Sequence, residues 1–566
     1  MSVAAHTQVT GLFLCRSRLS KCAMISLYLV RPLRSCSSVW RHRALSELVC
    51  KFAVGNCQTS RLWFSTISHG LVRNMDEILR KTVAPLPSYE TRDKFPPPPE
   101  SHSVEFMNFY RSLEPEQRVE FLERLSEEYG VDHKSVSELA AKLLETQLRD
   151  VATILQVEDR LRYSLTPRYR QLLSHISRIG GGVKFLVDFR ADVIQITSSK
   201  ASDSPHLRDL NGALKGLLSE WFSVGLLKLE RITWQSPCAL LQKISQYEAV
   251  HPVRNWMDIQ RRVGPYRRCY AFTHASMPGE PLVVLHVALT EEISNNIQSI
   301  VRDLATVDAE EDASKIHAAI FYSISSTQPG LQGVELGNYL IKRVVRELQS
   351  EFPHMSQFSS LSPIPGFTSW LQGTLGPSRK VEGRGGAGVT ELLSECEWRE
   401  VEEVAGVGPG PPAMEALRRL LATGDWSRSE RLTRALEPAL MRLCAWYLYG
   451  EKRRGYAINP VANFHLQNGA TMWRLNWQAD ASPRGLANSC GIMVNYRYFL
   501  SETAANSATY LQNKTVSASD QAASSQSKTR DFNCCQSPTH PVYRMKQTMH
   551  HIPSTFASSF AGCQRR

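Results

Sequence analysis

Cysteine is scarce in the body of this chain. Of thirteen cysteines in 566 residues, five precede residue 75 (Cys15, Cys22, Cys36, Cys50, Cys57) and three follow residue 525 (Cys534, Cys535, Cys563). Between them stand only Cys238, Cys269, Cys396, Cys444 and Cys490, odd in number and widely spaced. That pattern excludes a disulfide framework, and the lack of a CxxC pair or a His/Cys cluster leaves no zinc motif. Free thiols in a reducing compartment are expected, with Cys238 open to joining subunits under oxidising conditions. Long apolar runs are missing too. The stretch Met24-Ile-Ser-Leu-Tyr-Leu-Val30 falls well short of the roughly 20 residues of a membrane span, so a soluble protein with no membrane insertion is expected. No internal repeat is present, and the length allows two to four domains.

Acidic residues are nearly absent from the two ends. Residues 1–74 carry ten Lys or Arg and one acid, Glu47, and residues 526–566 carry six basic residues against Asp531 alone. The remaining 75–525 holds 50 basic and 52 acidic residues, so the net charge of +12 belongs to the ends. A nucleic-acid-binding body is therefore not expected, and a near-neutral, enzyme-sized body is. The Arg- and Ser-rich leader has the composition of a mitochondrial transit peptide, with a disordered basic tail and a secretory signal as the competing readings. Ordinary helical composition starts at Met75-Asp-Glu-Ile-Leu79, so a product initiated at Met75 would lack the leader and stay in the cytosol. Past about Ala522 the chain turns Ser-, Thr- and Gln-rich without apolar period, and this tail is expected to be disordered.

Lys94-Phe-Pro-Pro-Pro-Pro-Glu100 reads as an extended linker, since four prolines cannot continue a helix. Helical patterns follow without a convincing strand before residue 225. Val119, Leu122, Leu125 and Tyr129 share one face, and Gly130 stops that helix. Ser135-Val-Ser-Glu138 fits a capping box for the next. Further helices are predicted over Val151–Tyr163, Pro167–Ile179 and Val183–Ile196, and along the stripe Leu210, Leu214, Leu217, Trp221. From Leu227 the pattern changes. Arg268–His274 and Leu282–Leu289 read as strands joined by the turn Met277-Pro-Gly-Glu280, and Glu291–Leu304 as a helix. Residues 375–412 contain glycine and proline clusters at Gly383–Gly388 and Gly406–Pro412, read as loops around a short acidic helix.

The most informative stretch is Lys315–Phe367. Ala318–Ser325 is apolar and β-branched enough for a buried strand. It runs into Gln328-Pro-Gly-Leu-Gln-Gly-Val334, then a helical pattern opening near Glu335 with Leu336, Leu340, Val344 and Leu348 on one face. Strand, glycine-bearing loop and helix N-terminus together leave backbone N–H groups for an anion, although plain turn glycines give the same spacing. Phe358-Ser-Ser-Leu-Ser-Pro-Ile-Pro-Gly-Phe367 follows as a serine-rich turn stiffened by two prolines.

Gln328–Gly337, Phe358–Phe367 and Asn459-Pro-Val-Ala-Asn-Phe-His-Leu-Gln-Asn-Gly469 closely resemble malonyl-CoA decarboxylase. So do Asn255-Trp-Met-Asp258, Arg261–Tyr270 and Leu443–Glu451, spread over roughly residues 75 to 520. The resemblance implies an α+β chain. An N-terminal all-helical oligomerisation domain (75–222) would precede a GNAT-like α/β acyl-CoA-binding catalytic domain (223–522), flanked by the leader (1–74) and the divergent tail (523–566). It implies conversion of malonyl-CoA to acetyl-CoA and CO2, a carboxy-lyase reaction that removes an inhibitor of fatty-acid oxidation, and a homo-oligomer, a tetramer in the family. Family members commonly end in a peroxisomal Ser-Lys-Leu, but this chain ends Cys-Gln-Arg-Arg566, which argues against import by that route.

Decarboxylation of a malonyl thioester leaves an enolate, so the site needs donors at the developing oxyanion and a proton for the α-carbon. The thioester is itself the electron sink, and no cofactor or metal is expected. The resemblance marks His465 as proton donor, on the argument that imidazole titrates near physiological pH, with Asn463 and Asn468 beside it as orienting groups or polar turn residues. Ser362 matches the active-site serine, to hold the malonyl carboxylate or relay a proton, with Ser359 and Ser360 as competitors. Strand alternation puts Ser360 and Ser362 on one face and Ser359 on the other. No Gly-x-Ser-x-Gly elbow surrounds them, which argues against an acyl-serine. The substrate loop is assigned to Gln332, Gly333, Val334, Glu335, Leu336, Gly337 and Asn338, with Glu335 where acetyltransferases usually carry a glycine. Tyr496 and Tyr498 are read as core or as further donors. A CoA-dependent acyltransferase acting on an amine, and a non-enzymatic acyl-CoA sensor, are the alternative functions.

Overall fold

The computed structural model describes residues 74–522 apart from 95–97, 147–148, 200–203, 303–309, 335, 337–339 and 376–392. The leader, the tail, the glycine cluster Gly383–Gly388 and part of the proline linker lie outside the described residues.

Up to Trp221 the described chain is helical. Residues 74–82 and the helices Glu100–Ser112, Pro115–Glu128, Tyr169–Ile176, Gly182–Ser198 and Pro205–Trp221 enclose one apolar core. Its centre is aromatic: Phe106, Tyr110, Phe121, Phe185 and Phe189 pack edge-on or tilted, with Tyr110 and Phe189 centroids 4.7 Å apart. Two helices stand apart from that core. His133–Thr146 and Val151–Ser164 pack chiefly on each other and leave Leu144, Val151 and Leu155 exposed. The first of them opens two residues before the expected box. Asp132 accepts the amides of Lys134 and Ser135, while Ser137 Oγ bonds back to the His133 carbonyl, so Asp132 caps in place of Ser135.

Beyond residue 225 an eight-stranded mixed sheet is built from β1 (Lys228–Ile232), β2 (Arg267–Thr273), β3 (Val283–Thr290), β4 (Ala318–Ser326), β5 (Gln357–Ser360), β6 (Ser362–Pro363), β9 (Thr471–Asn476) and β10 (Met493–Arg497). β7 (Lys452–Arg453) and β8 (Tyr456–Ala457) form a separate hairpin. β1 to β4 run antiparallel in sequence order, and the expected turn closes β2 to β3 with Glu280 N–H on the Met277 carbonyl at 3.1 Å. A bulge leaves Tyr322 of β4 without a partner on β3. This is the α+β arrangement expected. Two expectations give way. Glu291–Ile297 is irregular, and only Gln298–Val301 is helical, because Ile293 and Ser294 give their carbonyls to Arg474 and Asn495 of the sheet. Pro411 and Pro412 open the helix Pro411–Thr423, where a missing N–H costs nothing.

One junction positions the site. β4 and β5 pair in parallel from Ala318/Gln357 to Phe321/Ser360, with a last bond from Leu361 N–H to the Phe321 carbonyl at 3.2 Å. Beyond it β4 runs on to Ser326 beside β3, while Ser362 and Pro363 turn to β10. Parallel neighbours that part in mid-sheet open a wedge. The loop after β4 and the helix Leu340–Glu351, which buries Leu340, Ile341, Val344, Val345 and Leu348 against the sheet, lie on this crossover. On the opposite face the carboxylate of Glu248 accepts Ser323 Oγ and the amides of Val250 and His251, and lies 3.3 Å from His286.

Candidate active site

Ser362 stands where the chain leaves β5 for β6, and Pro363 after it holds its backbone extended. Its hydroxyl donates to Ser360 Oγ at 2.8 Å and lies 3.0 Å from His465 Nε2. Ser359 points elsewhere, its hydroxyl bonded to the carbonyls of Ser360 and Tyr496. Of the three serines, Ser362 is the one in contact with the imidazole, and the alternation expected for this strand is what separates them.

His465 comes from the helix Pro460–Gln467. Asn459 caps that helix through Oδ1 to the Ala462 amide at 2.9 Å, and its Nδ2 donates to the Pro365 carbonyl at 3.0 Å. One side chain thus starts the helix and ties it to the serine turn. Tyr447 donates to the same carbonyl at 3.1 Å. The far end is held as firmly: Gly469 has φ +80°, and a Cβ there would meet the Thr503 carbonyl oxygen at 1.9 Å.

The ring is sandwiched in the protein. Tyr496 stacks on it with centroids 4.6 Å apart at 16°, and Tyr498 Oη lies 2.7 Å from Nδ1. Burial pushes the His465 pKa down to about 3, so the ring is neutral at physiological pH. Burial also holds the Tyr498 phenol well above its usual value, so it keeps its proton. Ser362 gives its own proton to Ser360, so it accepts in the contact with His465; the ring proton is therefore on Nε2, and Nδ1 accepts from the Tyr498 phenol. The result is a directed chain of donors from Tyr498 through His465 to Ser362 and Ser360.

Other candidates sit elsewhere. Asn463 accepts from Tyr510 at 2.8 Å and Asn468 donates to the Phe464 carbonyl at 2.7 Å, so neither holds the ring. In the loop after β4, Gln332 and Gly333 are exposed while Val334 and Leu336 turn their side chains into the core, so among the described residues the Gln332 amide side chain and backbone are what it can offer a ligand. Residues 332–334 form a turn, and the described helix begins at Leu340. Glu335, Gly337 and Asn338 lie outside the described residues. The sequence reading missed Asn459, although Asn before Pro at a helix start is a capping signal. It left Tyr498 undecided between core and donor, because nothing local shows where a strand tyrosine's hydroxyl ends.

Comparison with known proteins places this geometry. Residues 129–222 match the family model described as malonyl-CoA decarboxylase N-terminal domain, and 225–533 the C-terminal domain of the same family. The chain is similar to mitochondrial malonyl-CoA decarboxylase of Rattus norvegicus, 59% identical over 450 residues that cover 79% of this chain and 89% of the rat protein. The protein of that name from Anser anser anser is 57% identical over 454 residues, 80% of this chain and 88% of its own. Among solved structures, malonyl-CoA decarboxylase from Rhodopseudomonas palustris superposes with a TM-score of 0.64 at 29% identity, covering 80% of this chain and 98% of its own. The one from Agrobacterium vitis superposes with 0.65 at 27%, covering 80% and 99%.

Proposed function

The chain belongs to the malonyl-CoA decarboxylase family, and on that premise we propose that it converts malonyl-CoA to acetyl-CoA and CO2 with Ser362 and His465 at the reacting centre. The observation that carries the assignment of residues is the Tyr498–His465–Ser362 chain, buried beside the wedge between β4 and β5.

The malonyl carboxylate enters a site whose immediate groups are neutral hydroxyls and a neutral imidazole. The bond between the carboxylate carbon and the α-carbon breaks, CO2 leaves, and the electron pair moves to the thioester oxygen as an enolate. Ser362 turns its hydroxyl proton from Ser360 to the carboxylate and so orients it. His465 then delivers its Nε2 proton to the α-carbon. A thioester enolate is a far stronger base than imidazole's conjugate base, so a neutral ring suffices as donor. Tyr498 gives a proton to Nδ1 as Nε2 loses its own, which avoids a free imidazolate; a proton from solvent then reloads Nε2, and Nδ1 returns its proton to the phenolate. One proton is consumed per turnover, and no metal or cofactor is part of the scheme.

Gln332, Gly333, Val334 and Leu336, with Glu335, Gly337 and Asn338, are proposed as the CoA-binding loop; the amides of Gln332, Val334 and Leu336 already donate to the Pro329, Leu331 and Val334 carbonyls, so among the described residues the Gly333 amide is the backbone group offered to the ligand. A mitochondrial location follows the names of the relatives. A cytosolic form initiated at Met75 would keep every described residue but Asn74, since Met75 is itself buried in the helical core. A homo-oligomer, tetrameric by the family resemblance, is the proposed assembly.

The test is incubation of the full chain with malonyl-CoA in deuterated water, following CO2 and acetyl-CoA together. Equal release of both, one deuterium per acetyl group, and a loss of roughly 10²–10⁴ in turnover for a folded His465→Ala protein are expected. Unchanged turnover in that variant would remove His465 from the mechanism.

A further inference from the structure

Arg190 belongs to the helical region, in Gly182–Ser198, yet two of its three described partners are carbonyls of the loop after β4. It is 2% exposed. Nη1 donates to the Gly330 carbonyl at 2.5 Å, Nη2 to the Gln332 carbonyl at 2.9 Å, and Nε to Asn211 Oδ1 at 3.0 Å. Each of these partners is a neutral oxygen, so the guanidinium's charge is not cancelled by the groups that hold it. The approach is close: a Cβ on Gly330 would come within 1.8 Å of the Val187 carbonyl oxygen. Glycine is therefore required where helix and loop touch.

The consequence for the loop is directional. In a trans peptide the C=O and the following N–H point opposite ways. With the Gln332 carbonyl turned to Arg190, the Gly333 N–H faces away from the helical core, at a residue whose φ of +74° suits glycine. A second cation stands there: a Cβ built on Gly333 would lie 3.6 Å from Lys215 Nζ. Lys215 is exposed and comes from the same helix as Asn211, Pro205–Trp221. An outward amide, a buried cation behind it and an exposed cation close by are complementary to a phosphate.

We propose that the helical region completes the CoA site: Arg190 is a positioning residue that fixes the loop and lends it positive charge, and Lys215 meets the pyrophosphate directly. This rests on the loop being the CoA site. The helical region then serves substrate binding as well as assembly.

The experiment compares malonyl-CoA with malonyl-pantetheine, which carries the same thioester and no phosphate. For Arg190→Gln the KM for malonyl-CoA should rise about tenfold or more, the loss expected for charge-assisted contacts, with kcat within about twofold. Its kcat/KM on malonyl-pantetheine should equal that of the unaltered protein, and Arg190→Lys should recover part of the lost affinity. A fall by the same factor on both substrates, or no change on either, overturns the proposal. Should Arg190→Gln not fold, the exposed Lys215→Glu decides: a raised KM for malonyl-CoA alone supports the proposal, and an unchanged KM overturns it. If the unaltered protein releases no CO2, the decarboxylase reading fails separately, and calorimetry with free CoA on the same variants still decides the phosphate contact.

Discussion

At His465, 3% exposed, the ring does not exchange protons with bulk water as a surface histidine does, and burial pushes its pKa down to about 3. The argument that imidazole titrates near neutrality, sound for the free side chain, does not transfer to this one. What replaces it is hydrogen-bond direction, with the Ser362 bond to Ser360 fixing which nitrogen keeps the proton. The pH–rate profile at saturating substrate should accordingly lack any inflection near the ordinary histidine value of 6.5 that His465→Asn abolishes. Tyr498→Phe, which keeps the ring and removes the donor, should lower kcat by roughly tenfold or more with KM little changed. A profile that does turn at 6.5 on account of His465 would sink the neutral-donor scheme. The proposed site residues Ser362 and His465 stand in long ordered motifs that mark them in the sequence, the structure brings the two into contact, and strand alternation separated Ser362 from Ser359. Arg190 was not legible. Its loop partners are 140 and 142 residues away, and a helical arginine carries no mark of a carbonyl it will meet across the fold.

Elements were read well where one face alone is buried. The stripe Leu210, Leu214, Leu217 survives in Pro205–Trp221 because burial there repeats every three to four residues. Glu291–Ile297 has the composition of a helix, but its carbonyls find partners in the sheet, and tertiary hydrogen bonds override local preference. The hairpin His133–Thr146 and Val151–Ser164 is the reverse case: helices whose apolar side is left uncovered by the described residues of one chain. Leu144, Val151 and Leu155 are 67%, 70% and 53% exposed, more than a lone surface leucine needs explaining. A second copy of the chain is the occupant that the proposed homo-oligomer supplies. Light scattering should then show that Leu144→Glu with Leu155→Glu shifts the protein to a smaller species while its helix content holds. A mass unchanged from that of the unaltered protein would assign the assembly surface elsewhere.

For the whole molecule, buried titrating groups set a pH window for stability. His465 is pushed down to about 3 and His251 to about 4, both chiefly by burial, from an ordinary value of 6.5. Below that value the unfolded chain binds protons that the folded one refuses, so stability falls as pH drops from about 6.5 towards 4. Glu248 adds to the loss below 4.5. Burial alone would raise its carboxyl, but His286, the His251 amide and Ser323 hold it down to about 2. His286 is held above 6.5 despite burial, so its contribution is full below 6.5 and is lost only as pH rises through its raised value. Urea midpoints measured between neutrality and the acid side should thus decline. His251→Gln should flatten the slope by up to about 1.4 kcal/mol per pH unit over that window. A slope identical in the variant would show that His251 titrates normally in the folded chain.

The helix Gly182–Ser198 has two apolar faces, giving Val183 and Val187 to the core beneath the sheet and Phe185, Leu186, Phe189, Val193 and Ile196 to the helical core. A chain emerging N-terminus first exposes this helix long before the loop at Gly330 has been made. For more than a hundred residues of synthesis one side of it has nothing to rest on. That interval is when a chaperone has the most to grip, and a release factor that acted before residue 330 would free a subunit still sticky along its central helix.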